Sequence, residues 1–214
     1  MNIFIALIPA LCWGNIGLVS GIMGGSAKEQ TIGMTCGAFS LSLILTLIFK
    51  DNYLAHCTAE LWITVFLTGF FWCAGQFLQF TTLKAIGISK GYPLSTGGQL
   101  ILNSLTGAFI FSEWKTGMQL SSGCTAVILL TSGAALTAFK EKSKISDNNT
   151  SSTVSENWKI GGPALVFSTI FYCVYTVIST WRGLDFKALI IPQSLGMVIG
   201  ALLFGLRKGS ITKS

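Results

Sequence analysis

The chain has 214 residues, of which 51% are hydrophobic and only 10% are charged, and its mean hydropathy is +0.66. A soluble domain of this size carries roughly 25% charged residues, so this chain has too little polar surface to cover a globule in water. The composition therefore excludes an ordinary soluble domain and indicates a lipid environment. The formal net charge of +6 does not indicate nucleic-acid binding, because basic residues of membrane proteins lie mostly in loops.

Uncharged stretches long enough to cross a bilayer recur along the whole chain. A span needs about 20 mainly apolar residues, and its backbone polar groups must pair within the segment, which favours a helix. The sequence therefore predicts an all-α, polytopic membrane protein embedded in the lipid bilayer. We expect about seven transmembrane helices, at Ile3–Met23, Thr31–Phe49, Leu61–Phe80, Gly91–Phe111, Leu120–Phe139, Ile160–Ile178 and Ala188–Leu206.

The first stretch resembles a signal peptide in position but not in charge. No Lys or Arg precedes Lys28, whereas a signal peptide begins with a positively charged segment. We therefore interpret it as a retained span.

One polar segment divides the chain. Residues 140–157 are rich in Ser, Thr, Asn and charges and show no apolar period, which is typical of a connecting loop. The predicted organisation is a five-helix unit over residues 1–139, a linker over 140–158, and a two-helix unit with a short tail over 159–214.

The two units share a local pattern. The segment TIGMTCGAF at Thr31–Phe39 resembles SLGMVIGAL at Ser194–Leu202, and both carry two glycines four residues apart, a spacing typical of close helix packing. Five spans precede the second copy, so the two copies are expected to have opposite orientations. Inverted repeats of this kind are typical of transporters, with the substrate site between them. The second copy ends after two helices, so either the chain is a shortened form or the repeat interpretation is wrong.

The positions of Lys and Arg indicate an orientation. With the amino terminus outside, ten of the 14 lie on the cytoplasmic side and four on the other. The positive-inside rule then favours an outside amino terminus.

Motifs for catalysis, cofactors and metals are missing from the sequence. His56 is the only histidine and falls in a loop, no P-loop is present, and no cysteine spacing resembles a metal site. We therefore expect no enzyme activity, no cofactor and no metal.

Amides and hydroxyls inside the spans are the candidate site. Gln76 and Gln79 share a helix face with Trp72 one turn earlier, and the third and fourth spans carry most of the polar residues. An uncharged, amide-rich interior beside tryptophan suits a neutral polyhydroxylated ligand. The alternative is interhelical hydrogen bonding that only holds the bundle together. The candidate substrate-binding residues are Trp13, Asn15, Trp72, Gln76, Gln79, Ser95, Thr96, Gln99, Asn103 and Gln193.

Four blocks, in order, resemble the bacterial glucose/ribose uptake permeases of the drug/metabolite transporter superfamily: FIALIPALCWGNIGL, WCAGQFLQ, GISKGYPLSTGGQL with FSEW, and PQSLGMVIGALL. The resemblance implies a ten-helix, five-plus-five carrier in the bacterial cytoplasmic membrane that moves a monosaccharide inward without ATP hydrolysis. The driving force would be a proton gradient or the sugar's own gradient. Members of that family continue through three further helices and usually place both termini in the cytoplasm, against the charge distribution.

Other functions remain open at this point. The chain could export another small metabolite or drug, or it could be a non-transporting membrane remnant or an interaction subunit. Glu113 is the only carboxylate near membrane depth, and beside Trp114 it is typical of an interfacial residue. If the chain is shortened, we expect it alone to transport poorly or not at all, and a homodimer to cover its exposed amide face.

Overall fold

The computed structural model describes residues 2–49, 58–138, 157–183 and 186–206, and over these ranges the chain is helical without strands. The all-α prediction is confirmed. Most of the predicted linker, the loop histidine and the carboxyl-terminal tail lie outside the described residues. The helices are α1 Asn2–Met23, α2 Ala27–Phe49, α3 Ala59–Ile86, α4 Ile88–Phe109, α5 Gly117–Ala138, α6 Trp158–Trp181 and α7 Phe186–Leu206.

Four of these helices have the length and hydropathy needed to cross a membrane, namely α2, α3, α5 and α6. Shorter apolar stretches lie in α1 and α7, at Leu7–Met23 and Ile190–Leu206. The fourth helix falls short because its polar stripe lowers its hydropathy. The chain is thus a polytopic helical membrane protein.

The third helix is the centre of the bundle. It packs most extensively against α6 and α7, and it also touches α2 and α4. By contrast α5 packs against α4, and α1 makes only a light contact with α4. The buried part of the protein is therefore built around α3.

The contacts fix the relative directions of the helices. Gly69 of α3 lies against Gln193 of α7, and further along Phe77 stacks on Phe204, so α3 and α7 are parallel. Ser42 of α2 bonds Ser194 of α7 at 2.8 Å, and Ile32 meets Gly205, so α2 and α7 are antiparallel. Opposite directions are what an inverted repeat requires, and the equivalence of the two helix pairs stays a prediction.

Helices α3 and α7 approach each other backbone to backbone. A Cβ at Gly69 would lie 2.0 Å from the carbonyl oxygen of Gln193, and one at Gly196 would lie 2.1 Å from that of Phe66. Only glycine fits at such contacts. The close packing predicted for Gly196 is present, whereas a Cβ on its counterpart Gly33 would meet no atom within 4 Å.

The break between α3 and α4 is a single residue. Gly87 has a φ of 86°, a conformation that glycine adopts readily. The predicted spans stopped at Phe80 and resumed at Gly91, whereas the helices extend to Ile86 and start at Ile88. The length of an apolar run reflects the thickness of the hydrocarbon core of the bilayer. Helices α3 and α4 extend past their apolar runs at this break, so their ends there lie beyond the predicted spans.

Candidate functional site

Polar side chains are buried where α3 meets α4 and α6. Gln76 and Gln79 of α3 are each 1% exposed, and Ser95 and Gln99 of α4 are also buried. Neighbouring turns of two helices place these groups together, because residues three and four apart share a helix face. A buried amide is costly unless its hydrogen bonds are made, so the partners of each group decide what the cluster can do.

Several polar groups of the cluster bond one another within the protein. The amide nitrogen of Gln79 donates to Ser95 Oγ at 3.0 Å, and that of Gln99 donates to the same oxygen at 3.2 Å. The amide oxygen of Gln79 lies 3.1 Å from the hydroxyl of Tyr172. The Gln79 nitrogen is therefore held by Ser95, and its oxygen shares the one proton of the Tyr172 hydroxyl with Gln76, as expected of a residue that joins helices.

Tyr172 of α6 is the residue that the sequence prediction missed. Its side chain is 2% exposed, and its hydroxyl donates to Gln76 Oε1 at 2.6 Å. The only indication in the sequence was a phenol within the apolar run IFYCVYTV. An aromatic side chain in such a run is just as typical of apolar packing between helices. The structure makes it the connection between α6 and the amides of α3.

Some polar atoms on α3 and α4 are buried without a partner. Three buried side-chain atoms of the described residues have no hydrogen-bond partner: Gln76 Nε2, Thr96 Oγ1 and Asn103 Oδ1. All three belong to the predicted candidates. Gln76 offers a donor, Asn103 an acceptor, and the Thr96 hydroxyl can be either. A ligand that satisfies them must both accept and donate hydrogen bonds.

An open groove of about 810 Å³ runs between α4 and α5, and Thr96 lines it. This volume is within the range of about 300–1,000 Å³ found for small-molecule pockets. Its other walls are mainly apolar, formed by Tyr92, Pro93, Gly97, Ala126, Leu129, Leu130, Gly133 and Ala134.

Four other predicted residues lie around the cluster or away from it. The Trp72 ring meets the Tyr172 ring edge-on with centroids 6.2 Å apart. The half-buried Gln193 lies on α7 beside Gly69, two turns before Gln76 along α3. Trp13 is 44% exposed and Asn15 is also exposed, with its amide donating to the carbonyl of its own helix at Leu11. The structure therefore does not bring Trp13 and Asn15 into the cluster.

The cluster is electrically neutral. The carboxylates that the structure describes, at Glu29, Glu60 and Glu113, are all exposed, and Glu60 pairs with Arg182 at the start of α3. Within the described ranges, no group of His, Cys, Asp and Glu could hold a metal ion. The described side chains of the cluster therefore offer hydrogen bonds and aromatic contact rather than charge.

The amino-acid sequence of this chain matches known proteins over almost its whole length. A family model described as "Sugar transport protein" matches residues 4–214. The chain belongs to the sugar transport protein family. This membership indicates a transporter rather than an enzyme.

Two relatives in the family are each named "Putative sugar uptake protein". One, from Lactiplantibacillus plantarum, is 43% identical over 207 residues, covering 97% of this chain and 69% of the relative. The other, from Enterococcus faecalis, is 41% identical over 213 residues, covering 100% of this chain and 72% of the relative. No solved structure matches.

Proposed function

We propose that this family member is a carrier for the uptake of a neutral monosaccharide of the glucose or ribose class, bound by the unpartnered polar atoms of α3 and α4. The observation that carries the proposal is the set of three unpartnered buried atoms, on Gln76, Thr96 and Asn103. A buried polar atom without a partner costs about 1–3 kcal/mol, and such an atom in a native protein calls for an explanation. A bound ligand that completes these hydrogen bonds supplies one.

The chemistry of the three atoms favours hydroxyl groups. A hydroxyl accepts from the Gln76 amide nitrogen, donates to the Asn103 amide oxygen and does either with Thr96. Several hydroxyls on one small ring would serve all three, as in a monosaccharide. Trp72, edge-on to Tyr172, is an aromatic surface on which the apolar face of a sugar can stack.

The alternatives fit the same residues less well. Export of a cationic drug would be favoured by a buried carboxylate, and the described carboxylates are all exposed. Structural hydrogen bonding accounts for Gln79, Ser95 and Gln99, but it leaves the open atoms unexplained. A remnant that binds sugar without moving it remains the second candidate.

The family resemblance and the helix directions support a transport mechanism. We propose alternating access between two inverted repeats in the bacterial cytoplasmic membrane, of the drug/metabolite transporter type, without ATP hydrolysis. The antiparallel directions of α2 and α7 support the repeat. The driving force in this proposal is the sugar's own gradient or a proton gradient, and the carboxylates that the structure describes are all exposed.

The test is uptake of labelled glucose and ribose by a host that lacks its own sugar transporters and makes this chain. The cluster is built from α3, α4 and α6, all of which this chain contains, so we expect saturable uptake of one of the two sugars, in contrast to the poor transport expected of a shortened chain. Gln76→Ala should reduce this uptake at least about tenfold, because a lost hydrogen bond in a dry site is worth about 1.4 kcal/mol or more. Thr125→Ala is the matched control, since Thr125 is exposed on α5 and bonds only its own helix at Ser121. Absence of saturable uptake in cells with the chain inserted in the membrane would contradict the carrier function.

A further inference from the structure

Basic side chains gather at the end of the bundle where α3 ends and α4 and α6 begin. Lys84 lies in the last turn of α3, Lys90 in the first turn of α4 and Lys159 in the first turn of α6. Of the charged side chains that the structure describes, four lysines and one carboxylate lie at this end, against two basic and two acidic side chains at the opposite end. We propose that these three lysines bind the headgroup of an anionic phospholipid.

Backbone contacts hold two of the lysines beside each other. The amide nitrogen of Asn157 donates to the carbonyl oxygen of Ala85 at 2.8 Å, and a Cβ at Gly161 would lie 3.2 Å from the Ala85 side chain. The end of α3 and the start of α6 are therefore in direct contact. Because Lys84 precedes Ala85 and Lys159 follows Asn157 by two residues, two long basic side chains start from neighbouring backbone and can reach one phosphate group.

The depth of these side chains favours a lipid phosphate over an anion in bulk water. Lys84 and Lys90 are half-buried, whereas Lys159 is exposed. A half-buried lysine lays its apolar stem along the protein and keeps its ammonium group at the interface. Trp158 is 47% exposed, and tryptophan at the end of a span is typical of the headgroup level of a bilayer. The lysines therefore lie where phospholipid phosphates lie.

A headgroup at this position would bridge three helices. Helices α3, α4 and α6 all pack against one another, and each contributes one of the lysines. The described carboxylate at this end, Glu29, belongs to α2 and accepts from the backbone nitrogen of Ser26 at 2.7 Å. Basic side chains at a membrane surface attract anionic lipids over a short range only, so the bound lipid must lie at the junction itself. We therefore expect anionic lipid to stabilise the contact of α3 with α4 and α6.

The experiment is thermal melting of the purified chain in detergent micelles to which phosphatidylglycerol, phosphatidylcholine or inorganic phosphate is added. A ligand that binds the folded state raises the melting temperature, so phosphatidylglycerol should raise it by about 2–4 °C or more relative to phosphatidylcholine. The double variant Lys84→Gln with Lys159→Gln should lose this rise. Lys115→Gln is the matched control, because Lys115 is an exposed lysine at the opposite end of the bundle, and it should keep the rise.

Three results would overturn the proposal. An equal rise with inorganic phosphate would assign the lysines to a free anion, and an equal rise in the double variant would place the lipid elsewhere. A double variant that is destabilised equally with every additive would show that the lysines serve an ion pair within the protein. If the double variant does not fold, Lys159→Gln alone should lose part of the rise and Lys159→Arg should keep it. The measurement uses no sugar, so its outcome is independent of the proposed uptake function.

Discussion

Helices α3 and α5 are both apolar and both long enough to span a membrane, yet they have opposite surroundings. In its most apolar window α3 is 39% buried, whereas α5 is 0% buried. The difference lies in where the small and polar residues point: α3 buries Gly69, Gly75 and two glutamines against its neighbours, whereas α5 also carries glycines and hydroxyls, but hydroxyls such as that of Thr125 bond only their own helix. Lipid is as apolar as leucine, so helices associate in membranes through packing and hydrogen bonds rather than through hydrophobicity. Hydropathy thus identifies a span, and the small and polar residues that contact other helices determine its place in the bundle.

The largest expected effect comes from adding one methyl group where α3 meets α7. In Gly69→Ala the new Cβ would lie 2.0 Å from the Gln193 carbonyl oxygen, so the two backbones must separate. We expect destabilisation of about 3 kcal/mol or more, seen as a large fall in melting temperature in detergent. Gly33→Ala is the control, because its Cβ meets nothing within 4 Å, and its better helix propensity predicts a gain of about 0.5–1 kcal/mol. Equal effects of the two changes would refute the α3–α7 contact.

A smaller effect is expected from removing a buried amide that joins two helices. Gln79→Leu removes the hydrogen bond to Ser95 and the oxygen that shares the Tyr172 proton, and should destabilise the protein by about 1–3 kcal/mol. Asn15→Leu changes an exposed residue of α1, where the effect should stay within about 0.5 kcal/mol. Thermal melting of both variants in the same detergent checks this. An Asn15 change as costly as the Gln79 change would place Asn15 in the core after all.

The smallest effect is expected at the exposed ion pair between the start of α3 and the end of α6. Glu60 and Arg182 are 2.5 Å apart, with side chains 75% and 40% exposed. Such pairs contribute about 0–1 kcal/mol and weaken with salt. Glu60→Gln should therefore lower the melting temperature slightly at low salt and hardly at high salt. A large loss that persists at high salt would show that this end of the bundle is less solvated than the exposures indicate.

The sequence predicted the helices and the buried glutamines of the cluster, but it did not predict the rotation of α1 or the part played by Tyr172. Charge-free runs mark spans, and amides at helical spacing mark a face, so Gln76, Gln79 and Gln99 could be expected inside. The rotation of α1 could not be predicted, because it is apolar around its circumference and Asn15 satisfies itself on its own helix. Tyr172 was missed because nothing local distinguishes a hydrogen-bonded phenol from an aromatic packing residue. Its role depends on α3, which is distant in sequence.

Equilibrium binding tests the central claim that the unpartnered atoms of Gln76, Thr96 and Asn103 form a site for a neutral sugar. Labelled glucose and ribose would be titrated into the purified chain in nanodiscs, beside Gln76→Ala and Thr125→Ala. We predict saturable binding of one sugar, at least about tenfold weaker in Gln76→Ala and unchanged in Thr125→Ala. Absence of binding, or binding that Gln76→Ala leaves intact, would contradict the claim.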